Sequence, residues 1–180
     1  MQSMFCIQLQ MRRAPADGKV PMTKRTDISE QTPQGALEEG GIHGLLGYQL
    51  AQAAIVSTGA FVRTVGEPLD LRSVEFTILQ LVCENAPVTV TQLAKALAVT
   101  TPGITIWIDR LEKRELVLRE RSDTDRRTQN LNVTRKGRTL VSSALAKLLQ
   151  ADRELLAGLS EGERHILLEL LHKVARSRAR

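Results

Sequence analysis

The densest group of charged side chains lies in the segment RSDTDRRTQNLNVTRKGR, residues 121–138. Asp123, Asp125, Arg126 and Arg127 occupy four of the five positions from 123 to 127. A carboxylate can hold a guanidinium in a bidentate pair, and a held arginine can enter the narrow, electronegative minor groove of A·T-rich DNA. The alternative is a solvated surface pair between Asp125 and Arg127, worth about 0–1 kcal/mol.

The positive charge of the chain is concentrated around this segment. The whole chain has 180 residues and a net charge of +5. Residues 89–138 contain eleven Lys or Arg and six Asp or Glu, so this stretch alone carries +5. A basic region of this kind favours an acidic partner such as nucleic acid.

The sequence contains no catalytic or metal-binding motif. It lacks a Gly-rich phosphate loop, a nucleophile elbow and a Cys/His cluster with zinc spacing. Two cysteines, Cys6 and Cys83, do not make a disulfide framework, which favours a reducing cytoplasm. Residues 40–62 lack Asp, Glu, Lys and Arg, but their glutamines and glycines favour an interface helix over a membrane span. We therefore expect a cytoplasmic protein that is not an enzyme and that needs no metal, cofactor or membrane.

The elements that must position the charged segment begin just before it. Residues 88–116, VTVTQLAKALAVTTPGITIWIDRLEKREL, predict two short helices joined by a tight turn. Thr91 is the expected N-cap of the first helix. Thr100 or Thr101 is expected to cap the second helix, which carries Pro102 in its first turn. The predicted inward positions are Leu93, Ala94, Leu97, Ile104, Ile108 and Leu111. This arrangement is typical of a helix-turn-helix.

Two strand-like runs follow at 116–121 and 128–133, joined by the charged loop SDTDRR, and together they predict a wing. Further helices are predicted over 42–65 and 72–84, before the helix-turn-helix. Two more are predicted after the wing, one capped by Thr134 and running to about residue 159, and one opened by the capping box Ser160-Glu161-Gly162-Glu163 and running to about residue 176. Residues 1–41 sustain no period and are predicted to form a flexible tail.

The helices at 42–65 and 134–176 carry apolar stripes that the small head at 72–133 cannot cover. Pairing with a second copy of the chain would bury them, so we predict a homodimer. The predicted dimerisation residues are Leu46, Leu50, Leu148, Leu155, Ile166 and Leu170.

This order of elements resembles the MarR (multiple antibiotic resistance regulator) family of winged helix-turn-helix transcription regulators. The resemblance covers about residues 42–176 as a single domain, and its strongest part is the run LAKALAVTTPGITIWIDRLEKRELVLRERSDTDRRTQNLNVTRKGR. The matching positions are Leu93, Ala94, Leu97, Thr100, Thr105, Asp109-Arg110-Leu111-Glu112, Leu116-Val117, Arg119, Asp125-Arg126-Arg127, Val133-Thr134 and Gly137.

The resemblance implies a mostly α fold of the α+β winged-helix type, with long terminal helices forming a dimerisation layer and a wing of two or three strands. It implies a sequence-specific regulator of double-stranded DNA, most simply a ligand-responsive repressor that binds an inverted repeat as a homodimer. The effector it implies is a small, often aromatic or phenolic molecule bound between the dimerisation helices and the head. The alternative from another class is a winged-helix protein-interaction module that does not read DNA.

The residues expected to contact DNA lie on the second helix of the helix-turn-helix and on the wing. The resemblance places minor-groove insertion on Arg127, with Asp125 orienting its guanidinium. Arg110 is expected either to contact phosphate or to pair with Glu112 on the helix surface. The full predicted set is Thr100, Thr101, Thr105, Ile106, Arg110, Arg121, Asp125, Arg126 and Arg127.

Two positions depart from the family pattern. Glu115 stands where the family usually has glycine, so the end of the preceding helix is expected to be strained or closed differently. Ile106 stands where many members carry a basic or polar residue, so contact with a thymine methyl group replaces a base hydrogen bond as the expectation.

Overall fold

Six α-helices and three short strands make up the computed structural model, which describes residues 30–121 and 129–179. The strands are β1 (Val88–Thr89), β2 (Val117–Arg121) and β3 (Gln129–Val133). The helices are α1 (Leu46–Phe61), α2 (Ser73–Asn85), α3 (Val90–Leu97), α4 (Thr101–Lys113), α5 (Arg135–Leu155) and α6 (Glu161–Arg176). A mostly α winged-helix fold is therefore confirmed.

The chain divides into two units, Met1–Gly44 and Leu45–Arg180. In the first unit, Gln31 and Glu38 form an antiparallel bridge, and a 3-10 helix spans Gly40–Gly44. Part of the predicted tail therefore has local structure, while residues 1–29 lie outside the described residues. In the second unit, α1 continues through a π-helical turn at Val62–Gly66.

The helix starts follow from the capping residues, with one correction. Thr89, and not the predicted Thr91, caps α3, because its hydroxyl accepts the Gln92 N–H at 3.2 Å while Gln92 Oε1 accepts the Thr89 N–H at 2.8 Å. A capping box needs its Gln or Glu three residues after the cap, which only Thr89 provides. The predicted caps Thr134 and Ser160 are confirmed.

The three strands form one antiparallel sheet in the order β1-β3-β2. Val117 pairs with Val133, and Arg121 pairs with Gln129, so β2 and β3 form the two arms of the predicted wing. Strand β1, which pairs Val88 with Leu131, is the third strand that the resemblance allowed, but the residue pattern did not locate it. Two residues are too few for an alternating pattern to indicate a strand.

The hydrophobic core lies in the head and extends onto the first half of α5. The side chains of Ile78, Leu79, Ile104, Ile108, Leu111 and Leu131 are completely or almost completely buried. Val141 and Ala144 of α5 join this core, which fixes the helix after the wing against the head. The turn at Leu156–Ser160 ends α5 at Leu155, about four residues earlier than predicted.

Helix α6 has no buried residue. Six of its large apolar side chains are exposed, namely Ile166, Leu167, Leu168, Leu170, Leu171 and Val174. Among residues 30–121 and 129–179, no helix is long and apolar enough to cross a membrane.

Candidate nucleic-acid interface

Helix α4, the second helix of the helix-turn-helix, is anchored by three buried side chains. Ile104, Ile108 and Leu111 are completely buried, as their spacing predicts. The Thr100 hydroxyl accepts the Gly103 N–H at 3.3 Å and so caps the helix at its first turn. Because one side of α4 is fixed in the core, the orientation of its other side is fixed as well.

The exposed side of the first half of α4 brings four predicted contact residues together. Thr100 and Thr101 are exposed, Thr105 is half-buried, and Ile106 is 67% exposed. The Thr105 hydroxyl donates to the Thr101 carbonyl at 2.8 Å, so its donor is used within the helix while its methyl group and an acceptor lone pair remain. This surface presents methyl groups and hydroxyls, which suit thymine methyls, base edges and phosphates.

The end of α4 shows how Glu115 replaces the usual glycine. Glu115 has a φ of +58°, in the left-handed region that glycine favours. Its N–H donates to the Glu112 carbonyl at 2.8 Å, and the Leu116 N–H donates to the Leu111 carbonyl at 3.0 Å, which together form a Schellman closure. The sequence left two alternatives, a strained helix end or a different closure. The helix closes as it would with glycine, so the strained alternative holds, with an L-residue in the left-handed position.

Two hydrogen bonds to neighbouring elements hold this closure in place. The Thr134 hydroxyl donates to the Glu115 carbonyl at 2.7 Å, and Lys136 Nζ lies 3.2 Å from Glu115 Oε2. Gly137 is required here because a Cβ at that position would lie 2.0 Å from the Leu116 carbonyl oxygen. The end of α4 is thus fixed by the start of α5.

Arg110 of α4 pairs with two carboxylates from earlier in the chain. Its Nε lies 3.1 Å from Glu75 Oε1, and its Nη2 donates to Asp70 Oδ1 at 3.0 Å. The alternative pairing with Glu112 is wrong, because Glu112 faces Arg119 of β2 at 3.6 Å. The contact of Arg110 with phosphate stays a prediction, and in this structure two carboxylates of the same chain engage the guanidinium.

Arg119 links α4 to the wing. Its Nη2 donates to Asp109 Oδ1, and its Nε faces Glu112 as described above. The Asn132 amide of β3 donates to Glu120 Oε2 of β2 at 2.6 Å, across the wing. Asp109 and Glu112 of α4 thus face β2, while Arg110 of the same helix faces Asp70 and Glu75.

The tip of the wing lies outside the described residues. This applies to Asp125, Arg126 and Arg127, and also to the side chain of Arg121, whose backbone ends β2. The predicted roles of these four residues stay predictions.

Four of the six predicted dimerisation residues are exposed. The exposed fractions are 53% for Leu46, 40% for Leu50, 54% for Ile166 and 53% for Leu170. Leu155 is half-buried. Leu148 is half-buried and packs partly against the core of the head, because it lies one turn after the buried Ala144 on the same side of α5. The dimerisation role of all six residues stays a prediction.

A cavity of about 690 Å³ opens beside the start of α5. It is lined by Leu69, Arg135, Lys136, Thr139, Leu140 and Ser143. Two leucines give it an apolar wall, and two cations at one side can attract an anionic group. Sequence reasoning missed this site, because Leu69 comes from a loop about 70 residues before α5.

The sequence and the structure are similar to those of known DNA-binding regulators. The family model described as MarR family matches residues 71–128. A transcriptional regulatory protein proposed for the hcr operon of Thauera aromatica is 29% identical over 140 residues, which are 78% of this chain and 84% of that protein.

Two solved structures show the same architecture. The transcriptional repressor CouR, solved bound to a 23-mer DNA duplex, is 32% identical with a TM-score of 0.71, and the match covers 77% of this chain and 98% of that one. The transcriptional regulator BldR from Sulfolobus solfataricus is 30% identical with a TM-score of 0.65, and the match covers 73% of this chain and 93% of that one.

Proposed function

The chain belongs to the MarR family of DNA-binding transcription regulators, and on that premise we propose that it is a homodimeric, cytoplasmic repressor that reads an inverted repeat. The observation that carries this proposal is the surface formed by the exposed Thr100, Thr101 and Ile106 and the half-buried Thr105, held on a helix whose opposite side is completely buried. A regulator of similar sequence and fold, CouR, is a repressor solved with a DNA duplex.

In this proposal, α4 enters the major groove and the wing reaches the adjacent minor groove. Ile106 contacts a thymine methyl group, and the three threonines contact base edges or phosphates. Arg127 enters the minor groove while Asp125 orients it, and Arg121 and Arg126 add contacts to phosphate.

The proposal is tested by selecting duplexes from a random-sequence pool with the wild-type protein. A two-fold dimer should select an inverted repeat whose half-site centres lie about 10 bp, one helical turn, apart. Selection of a single asymmetric half-site as the tight target would contradict the symmetric dimer. If the chain is instead a protein-interaction module, no sequence should be enriched and duplex binding should show no steep salt dependence.

The wing is tested with Arg127→Ala. We expect it to weaken binding to the selected duplex by about 1–3 kcal/mol, most strongly where the flanking base pairs are A·T. Lys147→Ala is the matched control, because it removes one cation from α5, well outside the wing in sequence. Equal losses for both variants would show that net charge, and not minor-groove insertion, explains the effect.

We further propose that a small aromatic or phenolic effector with an anionic group binds the cavity beside α5. The apolar wall of Leu69 and Leu140 suits a ring, and Arg135 with Lys136 suits a carboxylate or phenolate. Ser143→Phe should fill the cavity. Titration calorimetry with a panel of benzoate and phenol derivatives should then show binding to the wild type alone, and equal binding by both proteins would place the ligand elsewhere.

A further inference from the structure

Arg110 of α4 and Arg114, the residue directly after this helix, hold the linker between α1 and α2, residues 67–72. Arg114 donates from Nη2 to the Leu69 carbonyl at 2.9 Å and from Nη1 to the Asp70 carbonyl. Arg110 Nη2 donates to both Asp70 carboxylate oxygens, at 3.0 and 3.2 Å. Positions 110 and 114 are one helical turn apart, so both guanidinium groups reach the same linker.

The backbone of the linker turns at Asp70, where it presents its oxygen atoms to Arg110 and Arg114. Asp70 has a φ of +44°, in the left-handed region. An L-residue there costs about 1–2 kcal/mol, and such a conformation persists only where its surroundings hold it. The linker presents two consecutive carbonyls and one carboxylate to α4.

A buried carboxylate completes the cluster. Glu75 is 1% exposed, accepts the Arg72 N–H at 2.9 Å, and forms a salt bridge with Arg110, whose Nε lies 3.1 Å from Glu75 Oε1. A buried carboxylate needs such partners, because an unpaired charge in the interior is costly. Arg110 therefore bridges the buried start of α2 and the exposed carboxylate of Asp70.

We propose that Arg110 and Arg114 are positioning residues that set the orientation of α4 for DNA through Asp70. The linker continues directly from α1, so the cluster connects the helix that reads DNA to a helix with an exposed apolar stripe. Leu69, which accepts from Arg114, also lines the cavity beside α5, so a molecule in that cavity would lie against the same linker. This inference rests on the proposed DNA-binding function. It adds Arg110, Arg114 and Asp70 as residues that orient α4 without themselves contacting DNA.

Asp70→Asn is the first variant, because asparagine tolerates the left-handed region and the side chain is 81% exposed, so the fold should survive. We expect it to weaken binding to the selected duplex by about two- to thirtyfold. Binding to a scrambled duplex of the same composition should not change.

Glu67→Gln is the matched control, since Glu67 is exposed on the same linker and makes no ion pair within the described residues. If Asp70 acts only as a surface charge, both variants should bind both duplexes slightly more tightly, which would overturn the proposal.

Arg114 separates positioning from direct phosphate contact. Arg114→Lys keeps the charge but cannot donate to two carbonyls from one planar fork. A positioning role predicts that Arg114→Lys loses most of the affinity that Arg114→Ala loses, with the salt dependence of binding unchanged. A phosphate contact predicts that Arg114→Lys retains affinity and that Arg114→Ala lowers the salt slope by about 1. Lys113→Ala, on the exposed neighbouring position, calibrates the ordinary loss of one cation.

Amide hydrogen exchange, measured without DNA, tests the positioning role independently of the target sequence. Asp70→Asn should speed amide exchange in α4 and leave α5 unchanged, with the unfolding midpoint close to that of the wild type. Unchanged exchange in α4 would overturn the proposal whether or not the protein selects a duplex. If the wild type selects no sequence while exchange in α4 responds as expected, the proposed DNA readout fails and the positioning cluster stands.

Discussion

Helices α4 and α6 have similar lengths and similar apolar spacing, but their surroundings differ completely. Ile104, Ile108 and Leu111 of α4 are all completely buried within the chain. In α6, Ile166 and Leu170 are both more than half exposed, and no residue is buried. An isolated helix of this length is only marginally stable in water, so α6 needs a surface that residues 30–121 and 129–179 of one chain do not provide. The difference shows that α4 is stabilised within the folded chain, and it supports our proposal that α6 is stabilised by association with a second copy.

The strongest test of this difference applies the same substitution to both helices. Ile108→Ala should lower the free energy of unfolding by about 2–5 kcal/mol, because it opens a cavity in the core. Ile166→Ala should change the unfolding of an isolated protomer by less than about 0.5 kcal/mol. It should instead make the unfolding midpoint depend more steeply on protein concentration, because it weakens association. Denaturant unfolding at several protein concentrations measures both effects, and equal losses that are independent of concentration would remove the distinction.

A smaller effect is expected at the end of α4. Glu115→Gly should stabilise the protein by about 1 kcal/mol, because glycine adopts the left-handed conformation without the steric cost of a Cβ. Loss of the exposed pair with Lys136 offsets this by about 0–1 kcal/mol. Lys136→Ala removes the same pair while keeping Glu115, and so separates the two contributions. A clear destabilisation by Glu115→Gly, measured by chemical unfolding, would show that the backbone there is not strained.

The smallest effect is expected at the start of α6, where local capping stabilises a helix that lacks buried contacts. The hydrogen bond from the Ser160 hydroxyl, followed by that from the Ser160 N–H, lowers the pKa of Glu163 below the ordinary value of 4.5 for a glutamate. A lowered pKa in the folded state means that this stabilisation is present above the unfolded value and is lost as the pH falls through the folded one. Amide exchange in α6 should therefore rise below about pH 4.5, and Ser160→Ala should remove that pH dependence. An unchanged pH profile in the variant would contradict the assignment to this cap.

The contrast between the two helices also explains which features the sequence could predict. The spacing of Ile104, Ile108 and Leu111 and the cap at Thr100 predicted α4 correctly, because helix periodicity and capping are local signals. The exposure of Ile166 and Leu170 was predicted as well, since their stripe had no partner in a head of this size.

The features that the sequence could not predict depend on contacts between distant residues. Arg110 reaches Asp70 and Glu75, which lie 35 to 40 positions earlier, and nothing local to α4 indicates that partner. The apolar stripe of α5 includes residues that pack on the head and residues that stay exposed. Only the packing of α5 on the head shows that Leu148 is among those that contact the core. The missed cap at Thr89 differs, because Gln92 provided a local signal that would have identified it.

The most direct test of the central claim is sedimentation analysis of wild type and Leu170→Glu, alone and with the selected duplex. A charge at this exposed apolar position should prevent association while leaving the head folded. We predict that the wild type sediments as a particle of twice the 19.9 kDa of one chain, with two copies per inverted repeat. Leu170→Glu should sediment as a single copy, keep the unfolding behaviour of the head, and lose tight binding to the inverted repeat. A wild-type protein that sediments as a single copy at micromolar concentration, or a variant that binds the repeat as tightly as the wild type, would contradict the account.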